Sequence, residues 1–161
     1  MGADMFLMLD GIKGESGDDK HKGEIDLESF SWGMNQTGSG HRGSGMGTGK
    51  VDVNDINVTK LIDKASPTIM FACASGKHIP KGKITVRKAG ENPLDYLTID
   101  LEGILVSAYQ TSGNEGSPEK PRENVTLNFA KVKIEYWTQN EKGAKGENAN
   151  FSWDVAKNVK Y

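Results

Sequence analysis

Apolar residues recur at every second position along much of this chain, and in the longer runs the apolar phase slips by one residue partway. Ile25 and Leu27 alternate with Asp26 and Glu28, and the apolar positions then become Phe30, Trp32 and Met34. Val51 and Val53 give way to Ile56 and Val58, and Val125, Leu127 and Phe129 to Val132, Ile134 and Tyr136. A period of two is that of a strand with one face on a core. A slip of one residue is what a β-bulge produces, and bulged strands let a sheet bend towards closure.

Shorter alternating runs at Ile84 to Val86, Leu97 to Leu101, Ile104 to Ala108 and Phe151 to Val155 join the apolar stretch Met5 to Leu9. Together they give about eight strands separated by turn-rich segments. One helix interrupts them, over about residues 66–75. Ser66 is placed as its N-cap, Pro67 at its first position and Gly76 at its end. Ile69 with Cys73, and Met70 with Ala74, form the expected buried stripe, from which Phe71 falls away as a candidate contact with another chain. The expected fold is mainly β: a small bulged β-barrel or two-sheet sandwich with one short α-helix, a single domain over residues 1–161.

At 161 residues and 35% hydrophobic residues, the chain supports one thin core, or one completed by association. Twenty basic and 22 acidic residues leave a net charge of −2 without a basic run, so nucleic acid is not an expected partner. Cys73 is the single cysteine, which rules out an internal disulfide. The apolar start is too short for a signal peptide and no window suits a membrane span, so the expected place of synthesis and folding is the cytoplasm. Asn-x-Ser/Thr triplets at Asn35, Asn57, Asn124 and Asn150 then carry no glycan.

The stretch "GSGHRGSGMGTG" at residues 38–49 begins with the spelling G-x-G-x-x-G. A dinucleotide fingerprint needs a helix after the glycines, to aim its free N–H groups at phosphate. Here the alternating "KVDVNDINVTK" follows, and a phosphate-binding P-loop ending at Gly49-Lys50 would need glycine where Ser44 stands. The stretch reads instead as a long loop for contacts, since structureless connections of this length are usually functional or disordered. No catalytic constellation, cofactor motif or metal-ligand spacing emerges: His21, His41 and His78 fall in loops as solvated residues, and no nucleophile elbow is present. A carbohydrate-binding β-barrel and a small hydrolase near His78 or the acidic loops remain as competing readings.

Three stretches carry a family resemblance: "DMFLMLDGIKGESGDDKHKGEIDLESFSWGMNQTGS", "GKVDVNDINVTKLIDKASPTIMFACASGKHIPKGKITVRKAG" and "RENVTLNFAKVKIEY". With their K-G-E-S, S-W-G, T-K-x-x-D-K-x-S-P and S-G-K-H pieces, they resemble the haemolysin-coregulated protein (Hcp) family of the type VI secretion system. Gln139 to Asn150 matches no family pattern. The resemblance implies a non-enzymatic tube subunit that closes as a homohexamer. Its rings would stack, carry a spike protein at the tip, run inside a contractile sheath and hold small effector proteins in the lumen. It implies export from the cytoplasm with the tube, without a cleavable signal and without membrane insertion.

The glycine loop is similar to the family's long extended loop. The resemblance thus assigns ring–ring or subunit contacts to Gly38, Ser39, Gly40, His41, Arg42, Gly43, Ser44, Gly45, Met46, Gly47, Thr48, Gly49 and Lys50. Ser31 lies between Phe30 and Trp32 and so faces away from them. It is the candidate lumen residue, and a solvent-facing serine on the outside is the equal alternative.

Overall fold

The computed structural model describes residues 3–36, 50–90, 92–116 and 120–161. Its elements, in chain order, are β1 (Ala3–Leu9), β2 (Ile25–Leu27), β3 (Ser29–Ser31), β4 (Met34–Asn35), β5 (Asp52–Val53), β6 (Ile56–Leu61), α1 (Ser66–Ser75), β7 (Ile79–Lys88), β8 (Leu94–Ser112), β9 (Arg122–Asn128), β10 (Lys131–Gln139) and β11 (Lys145–Asp154). Among the described residues the architecture is mainly β with one short helix, as expected.

β8 organises the molecule. Its first half pairs with β7 on one edge and β10 on the other, while its second half, from Leu105, pairs with β9. β9 and β10 lie end to end along one edge of β8, with Asn128 opposite Leu105 and Lys131 opposite Glu102. The chain turns a corner between them. Gly103 takes φ +64, and Ala130 N donates to Glu102 O at 2.9 Å. The result is two sheets that share β8. The first holds β2, β1, β7, the start of β8, β10 and β11; the second holds the end of β8, β9, β6 and β3.

The three phase slips read as bulges are breaks between elements. At Glu28 the chain leaves the first sheet as β2 and enters the second as β3. At Asn54–Asp55 it passes from β5 to β6, and at Phe129–Ala130 it rounds the corner. A strand that changes sheets must exchange its inward face, which gives the same one-residue slip as a bulge. The bulges themselves lie between Val86 and Arg87, Val106 and Ala108, and Trp137 and Gln139. The pairing path runs β2-β1-β7-β8-β9-β6-β3 without closing by hydrogen-bonded ladders. Its two ends are joined by the chain through Glu28, whose N–H donates to Thr59 O at 2.8 Å.

Leu7, Ile84 and Ile99 from the first sheet meet Ile56, Val58, Val125 and Leu127 from the second in one core, which Ile69 and Ala72 of α1 join. Met70 and Ala74 are exposed, so the buried side of the helix runs through Ser66, Ile69 and Ala72 with Cys73 half-buried. Gly76 ends the helix in the left-handed region, φ +70, as its position implied. Ser66 is not the N-cap. Ala65 occupies that place, which puts Pro67 at the second helical position.

Ser66 instead serves a buried polar cluster. Lys60 of β6 and Glu123 of β9 are each 0% exposed and form an ion pair. Lys60 Nζ also donates to Asp63 Oδ1 at 2.9 Å and to Ser66 Oγ at 3.1 Å. The Ser66 hydroxyl donates to Glu123 Oε1 at 2.7 Å, and the Tyr109 hydroxyl to Glu123 Oε2. Buried charge is tolerated when it is paired and hydrogen-bonded, and this cluster ties α1 to β6, β8 and β9.

Candidate functional site

The outward face of the second sheet is the most distinctive surface of the molecule. Strand alternation turns Phe30, Val58 and Val125 inward and their neighbours out. The outward residues align across the strands as Ser29–Thr59–Asn124–Gln110 and Ser31–Asn57–Thr126–Ala108. Both rows are free of charge. Their side chains bond to one another: Asn57 Nδ2 donates to Thr126 Oγ1 at 3.2 Å, and Thr59 Oγ1 to Asn124 Oδ1 at 2.9 Å.

Charge enters only at the ends of this face. Asp55 accepts from Ser107 Oγ at 2.8 Å and from Asn128 Nδ2 at 2.9 Å. At the opposite end Arg122 Nε donates to Glu28 Oε1 at 2.7 Å. The hydrogen-bonded guanidinium lowers the Glu28 carboxyl below its ordinary range and raises Arg122 in turn.

The outward face of the first sheet contrasts with it. Lys83, Asp100 and Lys133 stand opposite one another on β7, β8 and β10. Lys133 Nζ lies 2.9 Å from Glu135 Oε1, a hydrogen bond that raises the Lys133 ammonium. One sheet therefore presents alternating charge, the other hydroxyls and amides. A neutral carpet offers donors and acceptors to many protein surfaces and neither attracts nor repels by charge.

Ser31 stands in the carpet, exposed and opposite in facing to Phe30. Phe71 is 64% exposed on α1. It borders a groove of about 410 Å³ lined also by Ile12, Ala72, His78, Ile79 and Pro80. Lys50 is exposed. The remaining loop residues assigned to contacts, Gly38 to Gly49, lie outside the described residues, as does His41. His21 is not the solvated side chain its loop position suggested: it is 8% exposed and bonded at both ring nitrogens. Among the described residues, no group of three or more His, Cys, Asp or Glu could hold a metal ion.

Among the described residues the class of fold is a bent two-sheet β structure with one helix, one neutral outward face and one charged face. Comparison with known proteins makes the class specific. The family model described as "Type VI secretion system effector, Hcp" matches residues 6–136. The protein hcp1 of Pseudomonas aeruginosa is 49% identical over 161 residues, covering 99% of both chains. Hcp1 of Salmonella typhimurium superposes with a TM-score of 0.85 at 40% identity over the whole of both chains. A structure described as a type six secretion system protein gives 0.89 at 30% identity, covering 98% and 99%. This chain belongs to the Hcp family of type VI secretion proteins. Among the described residues, no helix is long and apolar enough to cross a membrane.

Proposed function

We propose that this chain is a ring-building subunit of the type VI secretion tube, with the neutral carpet facing the lumen. One observation carries the reading: among the described residues, the second sheet ends on two unpaired edges. Its order is β3, β6, β9 and the second half of β8; β3 pairs only with β6, and β8 from Leu105 pairs only with β9. Unpaired edges are templates for a further strand. Each neighbouring pair in this sheet is antiparallel, so β3 of one copy meets β8 of the next with the alternation intact. A head-to-tail contact of that kind closes a ring when the rotation between copies divides a full turn. Six copies close the homohexamer that the family implies.

In such a ring the carpet forms the inner wall, and effector proteins travel against hydroxyls and amides around Ser31. Ring faces stack through the loop from Gly38 to Lys50, the spike protein caps the tube and the contractile sheath surrounds it. Phe71 and its groove contact other chains of the assembly. The subunit performs no chemistry of its own.

Cross-linking tests the edges. Cysteines at Ser31 and Gln110, in a Cys73→Ala background and joined by a short bismaleimide, are expected to give a ladder of covalent species ending at six. Intact rings without cross-links would overturn the edge assignment, and a protein that forms no ring would overturn the tube reading. Ser31→Gln is expected to weaken retention of effector cargo while leaving the ring intact; unchanged retention removes Ser31 from the lumen.

A further inference from the structure

Residues 10–24 connect β1 to β2 as a strap fastened to the first sheet and to the chain between β6 and α1. The strap's own backbone is paired. Gly14 N donates to Gly23 O at 2.9 Å, Ser16 N to Glu24 O at 2.9 Å, and Gly23 N to Ser16 O at 2.8 Å. A side chain at Gly14 would put Cβ 2.5 Å from Glu24 O, so only glycine allows this approach. Three ties hold the strap down. Glu15 Oε2 accepts from Lys64 N at 2.7 Å, and Asp18 accepts from both terminal nitrogens of Arg87 at 2.7 and 2.8 Å. His21 stacks on Phe6, ring centroids 4.4 Å apart and planes 12° from parallel. Phe6 is 4% exposed although it lies outside the main core.

The third tie has an unusual proton requirement. His21 Nδ1 is 3.0 Å from Glu24 Oε2, and Nε2 is 3.2 and 3.3 Å from the two carboxylate oxygens of Asp95 on β8. An ionised carboxylate only accepts hydrogen bonds, and a neutral imidazole has a single N–H. A neutral ring would therefore aim a lone pair at one of its two carboxylates. Both contacts are hydrogen bonds only in the imidazolium form.

Other charged groups pack against the strap. Arg87 of β7 has its Cζ 5.0 Å from the Phe6 ring centre and is paired with Asp18 and with Asp4 of β1, while Lys20 of the strap lines a pocket with Asp95, Lys142 and Lys145. The guanidinium beside Asp18 draws its carboxyl down to about 2. On β2, partial burial raises the Asp26 carboxyl, and the nearby Asp63, Asp18 and Asp4 add to the effect.

We propose that the strap is a proton-dependent clasp, latched over Phe6 by a doubly hydrogen-bonded His21 imidazolium. The sign follows from the geometry: the clasp holds while the ring carries both protons and loosens as pH rises and one is lost. Loosening uncovers Phe6 and frees the segment that leads directly into β2.

The test uses the full-length protein in two measurements. Nitrogen NMR of the His21 ring in the unsubstituted protein is expected to show both nitrogens protonated whenever the strap is closed. Hydrogen exchange, corrected for intrinsic rates, is expected to show protection at Gly14, Ser16 and Gly23 falling roughly tenfold or more as the ring deprotonates, on the scale of one charge-assisted hydrogen bond. Amides of β7 keep their protection. Asp95→Asn supplies an N–H to an unprotonated Nε2, so it is expected to keep the strap closed and to abolish its pH dependence. A bare ring nitrogen in a fully protected strap of the unsubstituted protein would overturn the proposal. So would an Asp95→Asn strap with unchanged pH dependence, or one that stands open at every pH.

Discussion

Lys60→Met removes an ammonium that has no solvent access and leaves most of the side-chain volume in place. Glu123 then remains a fully enclosed carboxylate, with the Ser66 and Tyr109 hydroxyls as its remaining donors. Removing one partner of a buried pair costs about 3–5 kcal/mol, because the desolvated charge left behind has lost its counter-ion. For a chain of this size each kcal/mol lowers Tm by about 2–4 °C, so the expected fall is roughly 6–20 °C. Glu123→Leu leaves Lys60 bonded to Asp63 and Ser66 and is expected to cost a similar amount. The double variant, with neither charge, is expected to recover about 1–3 kcal/mol relative to the sum of the singles. Urea unfolding followed by tryptophan fluorescence at fixed protein concentration reads all three, since association would otherwise shift the result. Single variants each costing less than about 1 kcal/mol, with an additive double, would refute this account of the cluster.

Gly103→Ala is expected to destabilise the fold by about 1–2 kcal/mol in the same urea assay, because residue 103 holds φ +64 and the new Cβ sits 3.0 Å from Ala130 Cβ. Asp26→Asn is expected to raise stability slightly at neutral pH, by less than about 1 kcal/mol. The fold raises the Asp26 carboxyl and so disfavours its ionised form; the gain should vanish at low pH, where Asp26 is protonated, and urea titrations at two pH values check this. Deleting Gly40 to Gly47 is expected to spare the ring and weaken stacking. Sedimentation and secretion assays check that outcome, and unchanged tube assembly would contradict it.

Alternation made most of the fold legible because each strand buries one face. Ser31 shows this well: its outward facing follows from the inward Phe30 beside it. The same alternation places Lys60 in phase with Ile56 and Val58, and Glu123 in phase with Val125 and Leu127, so both charges belong to inward rows. A reading that follows apolar residues alone stops one position short of them. Ser66 departs from its expected place for a related reason: a serine before Pro67 has the local chemistry of an N-cap, but Lys60 and Glu123 engage its hydroxyl from two strands. The separate alternating runs Leu97 to Leu101 and Ile104 to Ala108 belong to one continuous strand, β8, which Gly103 bends at φ +64 without ending. The His21 latch depends on Asp95, 74 residues away, and no local pattern reports a contact of that kind.

The mass of the purified protein by light scattering, with negative-stain images of the same peak, tests the central claim most directly. The account predicts six-fold rings with an open centre. A monomer with no central opening would contradict it.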